Sequence, residues 1–263
     1  MVLFRGDIKC KSLQRRTSLS VILPADNIHY LQGTEEIVEK PYKTLYLLHG
    51  LFGSDDIFLA NTTIQKFAED HNIAVVLPSG ENSFYVDQKE SHKYYGEFIG
   101  CELVEMTRNI FPLSHKKEDT YLAGFSMGGY GAIRNGLKYY DTFGYIGAIS
   151  AALLTDDLHN WGEGDDLLSS KSFAQSCFGD LNKVIGSDMD PKFLIDDLIA
   201  NDIEIPKIFM AVGDNDFLYN ENIDYYNYLK SRNVDVEFRC SSGEHTWEFC
   251  NDYIKEFIEW LPL

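Results

Sequence analysis

Short apolar runs alternate along this chain with stretches whose apolar residues recur at helical spacing. Residues 17–23 alternate and then run apolar into Pro24, the pattern of an antiparallel-type strand. Residues 43–48 form a buried-strand run ended by His49-Gly50, and 73–77 form another ended by Pro78. Ile64, Phe67 and Ala68 predict a helix over 58–71. Phe98, Cys101, Leu103, Val104 and Met106 predict a second helix over 94–111, closed by Pro112. Residues 119–123 read as a strand, the spacing of Tyr130, Ile133 and Leu137 as a helix over 129–140, and 145–150 as a further strand. The last third predicts a strand over 208–212, a helix over 223–231, a strand over 234–240 and a helix over 247–260. Two stretches differ. Residues 25–41 are polar and predict a connection, whereas 151–203 are rich in aspartate, serine and turn residues, with short helical pieces such as 191–200. Alternating strands and helices imply an α/β fold, a mostly parallel sheet flanked by helices on both faces. We read one domain over 1–263, with 151–203 as a cap-like insertion over the carboxyl edge of the sheet.

Between the strand at 119–123 and the following helix stands Gly124-Phe125-Ser126-Met127-Gly128, a G-x-S-x-G pattern. A serine held above a sheet on a sharp strand-to-helix turn needs neighbours without Cβ atoms, and glycine two residues to either side supplies them. The start of the helix also aims backbone N–H groups at the serine, which suits an anion forming there.

A serine hydroxyl needs a base to take its proton, and the base needs an acid to orient it. Hydrolases built on this turn place the two in the order serine, acid, histidine. Only His159 and His245 follow Ser126, and His159 has no late strand end before it to supply an acid. His245 falls in the loop between the last strand and the last helix, where a base can reach back over the sheet edge. Asp214 and Asp216 both follow the strand that ends at Val212. Asp216 is preferred, because it lies deeper in the turn and Phe217-Leu218 would shield it from water. Asp214-Asn215-Asp216 also resembles the start of a calcium loop, but Leu218 and Asn220 fail the ligand and glycine positions that follow. For an oxyanion, the N–H of Met127 is one donor and that of Leu51, in His49-Gly50-Leu51-Phe52-Gly53, the other. His49 precedes the serine and is read as tying this loop down. The aromatic cluster Phe84-Tyr85 with Tyr94-Tyr95 suits pocket lining and core packing alike.

Composition narrows the partners. With 41 acidic against 23 basic residues the formal net charge is −18. That charge repels phosphate backbones and anionic lipid, and argues against nucleic-acid and membrane roles. The 44% hydrophobic residues are ample for a core. Five scattered cysteines form no C-x-x-C pair, so neither a zinc site nor a disulfide framework is expected. No apolar stretch has the length of a membrane span or a signal-peptide core, and the expected location is the cytoplasm. No phosphate-binding or dinucleotide motif is present. An exposed cap and edge strand are compatible with a homodimer or tetramer.

Leu48-His49-Gly50-Leu51, Tyr94-Tyr95-Gly96-Glu97-Phe98-Ile99, the glycine-rich serine segment through Gly131, and Gly243-Glu244-His245-Thr246-Trp247 together resemble the putative-esterase (esterase D-like) family. The match is nearest to its bacterial tributyrin esterases, relatives of carbohydrate esterase family one. The resemblance spans residues 19–260. It implies an α/β-hydrolase fold without cofactor, with Ser126, Asp216 and His245 as nucleophile, acid and base and Leu51 and Met127 as oxyanion donors. The implied reaction is hydrolysis of short acyl esters, acetyl above all, of small molecules or oligosaccharides. The alternatives are a feruloyl esterase, an S-formylglutathione hydrolase and a catalytically silent binding protein. S-formylglutathione hydrolases of this family commonly carry a cysteine shortly after the oxyanion leucine, and Phe52-Gly53-Ser54 has none.

Overall fold

The computed structural model describes residues 1–25, 41–163 and 169–263. All but the ends of the expected connection at 25–41 lies outside the described residues, as does a short part of the expected insertion, 164–168. Eight strands form one sheet: β1 (Val2–Cys10), β2 (Arg15–Leu23), β3 (Thr44–Leu48), β4 (Ala74–Pro78), β5 (Thr120–Phe125), β6 (Tyr145–Ile149), β7 (Lys207–Gly213) and β8 (Val236–Ser241). Their order across the sheet is β1-β2-β4-β3-β5-β6-β7-β8. From β4 to β8 every neighbouring pair is parallel, and β2 runs antiparallel to both β1 and β4. The antiparallel reading of 17–23 therefore holds. β1 has no counterpart among the predicted elements, because it is an edge strand whose Phe4-Arg5-Gly6-Asp7 stretch is exposed and carries no apolar alternation.

β3, β4 and β5 are buried along their whole length, which explains their continuous apolar runs. One face packs on α4 (Met127–Lys138) through Tyr130, Ile133 and Leu137, the positions with helical spacing. The other face packs on α1 (Ile57–Asn61), α2 (Ile64–Asp70) and α8 (Trp247–Trp260) through Phe58, Ile64, Phe67, Ile254 and Phe257.

Two predicted helices are modified. The helix expected over 58–71 is broken at Thr62, which is extended (φ −135°, ψ 171°). Its hydroxyl donates to the Phe58 carbonyl and accepts from the Ile64 N–H, the side-chain competition that ends helices at threonine. The N–H and hydroxyl of the next residue, Thr63, both bond Asn251 of α8. The helix over 94–111 forms as α3, spanning 95–110, but widens to a π-turn over Phe98–Glu102. There Gly100 lies so close to the ring of Tyr139 that a Cβ would overlap it.

The segment 151–203, between β6 and β7, carries α5 (Lys171–Phe178) and α6 (Pro191–Ala200), and between β7 and β8 lies α7 (Tyr219–Ser231). Leu158, Cys177, Phe178, Leu181, Leu194 and Ile195 are buried in the same cluster as α4. Phe84 packs against Phe173 and Phe178, so the aromatic segment at 84–85 is core that the segment 151–203 covers. An ionic clamp holds the two together. Arg134 of α4, fully buried, donates through Nε to the Asp188 carbonyl (2.8 Å) and through Nη2 to its carboxylate (2.6 Å), which Lys138 also pairs (2.5 Å). Among the described residues no helix is long and apolar enough to cross a membrane.

Burial alone would raise the Asp188 carboxyl, but Arg134 and Lys138 outweigh it and hold it below the ordinary carboxylate value. A depressed carboxylate stabilises the fold above the unfolded value, near pH 4, and that contribution is lost as pH falls through the folded value. Arg134→Met should cost about 2 kcal/mol at pH 7, less than a fully buried pair because Asp188 is half exposed. Thermal denaturation should show Tm lower by roughly 4–8 °C, with the gap to wild type narrowing below about pH 4. A gap constant across that range would contradict the assignment.

Candidate active site

The sheet order places a reversal between β3 and β5. The chain leaves β3 toward α1 and α2 on one face and leaves β5 toward α4 on the other, opening a crevice at the carboxyl ends. Ser126 stands there, between β5 and α4, in the left-handed region (φ 59°, ψ −119°). Its neighbours hold this strained backbone. Ser126 N–H donates to the Ile149 carbonyl (3.0 Å), and its own carbonyl accepts from Gly129 (2.9 Å) and Ala152 (3.0 Å). A Cβ on Gly124 would overlap the Gly128 backbone, as the motif predicts. On Gly128 the obstacle is different, because a Cβ would enter the Leu48 carbonyl of β3. The second glycine thus lets α4 dock against the neighbouring strand.

The loop after β3 closes the other side of the crevice. A Cβ on Gly50 would come within 3.2 Å of Ser126 Cβ, so the backbone of this turn faces the serine. His49 ties the turn down, as expected. Gly80 N–H donates to its Nε2 (2.8 Å). With Nε2 accepting, Nδ1 carries the proton and donates to the Gly50 carbonyl (2.7 Å). Tyr85 Oη donates to the His49 carbonyl (2.9 Å). Burial pushes the His49 imidazole down, in keeping with this neutral form. Neither the Leu51 nor the Met127 N–H has an acceptor among the described residues, whereas Phe52 and Gly53 in the same turn do.

Asp216 and His245 meet across the ends of β7 and β8. His245 Nδ1 lies 2.9 and 3.1 Å from the two carboxylate oxygens of Asp216. Asp216 is buried, and Leu218 N–H also donates to its Oδ1 (2.8 Å). Desolvation alone would raise this carboxyl, but the hydrogen bonds from His245 and Leu218 hold it below the ordinary value, so it is ionised at neutral pH. Of the two expected shields, Leu218 is buried beside the carboxylate. Phe217 is 59% exposed and lies over the imidazole instead, with ring centroids 4.6 Å apart. The imidazole also stacks on Phe125 (4.5 Å, 25°), the residue before the serine.

Asp214 has another task. Its carboxylate accepts from Gly243 N–H (3.2 Å) and its N–H donates to the Ser241 carbonyl (2.9 Å), which fastens the loop that carries His245. His159 lies in a short turn, Leu158–Asn160, and is exposed. Two polar residues support the site without any signal in the sequence. Asn222 of α7 bonds both the N–H (3.2 Å) and the carbonyl (2.9 Å) of Ala151, next to the serine turn, and Asn82 accepts from Phe52 N–H (2.9 Å). Asn82 sits in a run of turn residues and Asn222 on a helix of ordinary polarity, so neither stands out by spacing.

The "Putative esterase" family matches residues 10–259. The chain belongs to this family. It is 41% identical over 262 residues to an acetyl esterase of Caldicellulosiruptor saccharolyticus, covering 99% of this chain and 98% of the relative. Two solved structures are also similar. The fluorophosphonate-binding serine hydrolase F of Staphylococcus aureus, solved with substrate bound, superposes with TM-score 0.85 at 33% identity, over 99% of this chain and 98% of that one. An S-formylglutathione hydrolase of the same organism superposes with TM-score 0.83 at 32% identity, over the same shares of the two chains. The esterase has the α/β-hydrolase fold, and it is a serine esterase.

Because Gly128 carries the approach of α4 to β3, Gly128→Ala should destabilise by about 3 kcal/mol or more, as overpacking against backbone does. A fall in Tm of roughly 6–12 °C by calorimetry is expected, and an unchanged Tm would show that α4 can shift freely.

Proposed function

We propose that this esterase hydrolyses short-chain acyl esters, acetyl esters above all, of small molecules or oligosaccharides, with Ser126 as nucleophile, His245 as base and Asp216 as the acid. The observation that carries the assignment is the buried Asp216 carboxylate on His245 Nδ1, with the imidazole stacked on the residue adjoining Ser126. The carboxylate fixes the tautomer, so that Nε2 is free to accept the serine proton and the imidazolium is stabilised once formed. Oγ of Ser126 attacks the ester carbonyl, and the charge that moves to its oxygen is met by the N–H groups of Leu51 and Met127. Collapse of the tetrahedral intermediate breaks the bond to the alcohol, which leaves with the proton from His245. Water, deprotonated by His245, then attacks the acyl-serine and releases the acid with the serine restored.

Likeness to the acetyl esterase supports the acetyl preference. The absence of cysteine from Phe52-Gly53-Ser54 argues against S-formylglutathione.

Three measurements test this reading. Ser126→Ala should abolish p-nitrophenyl acetate hydrolysis, and turnover at the wild-type rate would refute the nucleophile. Asp216→Asn should lower kcat on the order of 10³-fold or more while the chain stays folded. In a panel of acetyl, butyryl and feruloyl esters and S-formylglutathione, kcat/KM should be highest for acetyl. A clear preference for the feruloyl ester or the thioester would replace the proposed substrate class.

A further inference from the structure

The segment after β4 reaches both halves of the proposed oxyanion site. It folds tightly, with the Ser83 hydroxyl donating to the Gly80 carbonyl and accepting from Tyr85 N–H. Glu81, Phe84 and Tyr85 all take positive φ values (50°, 52° and 55°). Non-glycine residues keep such conformations only where surrounding contacts enforce them. Toward Met127, Phe84 N–H donates to the Met127 thioether (3.4 Å). Toward Leu51, Gly80 and Tyr85 hold His49, and Asn82 Oδ1 accepts from Phe52 N–H (2.9 Å).

Peptide planarity gives these bonds a directional consequence. The Gly50 carbonyl and the Leu51 N–H belong to one trans peptide and point in opposite directions. His49 Nδ1 and Gly53 N–H both hold that carbonyl, so they set the direction of the Leu51 N–H. The next peptide, between Leu51 and Phe52, has its N–H held by Asn82. Phe52 itself is at φ 63° and 81% exposed, so packing of its side chain does little to restrain it. Both peptide planes flanking the Leu51 Cα are clamped, the second by the side chain of Asn82. The backbone carbonyl of Asn82 in turn accepts from the Cys177 thiol of α5 (3.2 Å), which joins the insertion to the same clamp.

We propose that Asn82 is a positioning residue of this esterase: through Phe52 N–H it fixes the turn that aims the Leu51 N–H at the developing oxyanion. The inference rests on the proposed roles of Ser126 and Leu51. Asn82 touches no reacting atom, and its effect belongs to the transition state, when the oxyanion draws on that donor.

The test compares Asn82→Leu, close in size but without an acceptor, with Asn82→Asp, which keeps an oxygen for Phe52 N–H. Asn82→Ala replaces the leucine variant if that one does not fold. With p-nitrophenyl acetate, Asn82→Leu should lose about 10- to 100-fold in kcat, the scale of a misaimed group, with KM within about twofold of wild type. Asn82→Asp should recover most of that loss. Inactivation by a fluorophosphonate, whose phosphoryl oxygen takes the same donors, should slow in parallel with kcat. Wild-type kcat in Asn82→Leu, a loss confined to KM, or equal impairment of the Leu and Asp variants would overturn the proposal. If the fluorophosphonate fails to label Ser126 in the wild-type protein, the site assignment itself is wrong, an outcome distinct from equal labelling rates in wild type and Asn82→Leu.

Discussion

The close approach of α4 to the ends of β3 and β5 is the constraint on which the rest of the site depends. Ser126 keeps its left-handed backbone because Ile149, Gly129 and Ala152 hold its peptide groups on three sides. Gly128 lies against the Leu48 carbonyl, so the serine turn and the β3 turn are brought together by backbone packing, without any side chain between them. A pair of loops set in this way loses no side-chain rotamer freedom when substrate arrives, which is what preorganised electrostatic stabilisation requires.

The residues of the candidate site were more legible in the sequence than the scaffolding around them. Buried strands announced themselves as continuous apolar runs because β3, β4 and β5 are covered on both faces. The G-x-S-x-G turn marked Ser126, chain order left His245 with Asp214 or Asp216, and depth in the turn favoured Asp216; the structure brings Asp216 and His245 into contact, with Phe125 against the imidazole. What escaped was set by tertiary neighbours. β1 is an exposed edge strand whose partner is β2, and its residues have no pattern to show. The break at Thr62 follows a threonine that any helical window tolerates, and becomes visible only when Asn251 is seen to bind Thr63. Phe217, expected against the carboxylate, sits on the imidazole, since a period read along the chain does not give the direction of a side chain in a turn.

The segment 151–203 is held against α4 by unlike forces. Apolar packing through Phe178, Leu181 and Leu194 gives it a place on α4. The buried Arg134 then fixes its register, since a planar guanidinium with two defined partners on Asp188 accepts few orientations. A buried cation is costly unless paired, and Asp188 supplies the pair.

The sheet order also bears on how such a chain becomes active as it is synthesised. The turn carrying Leu51 follows β3 and the serine follows β5, whereas the imidazole follows β8, the last strand among the described residues. The strands that hold the strained serine turn thus precede in the chain the loop that carries the proposed base. On the proposed roles of Ser126 and His245, ester hydrolysis cannot begin until β8 has joined the sheet and brought the imidazole to the serine turn.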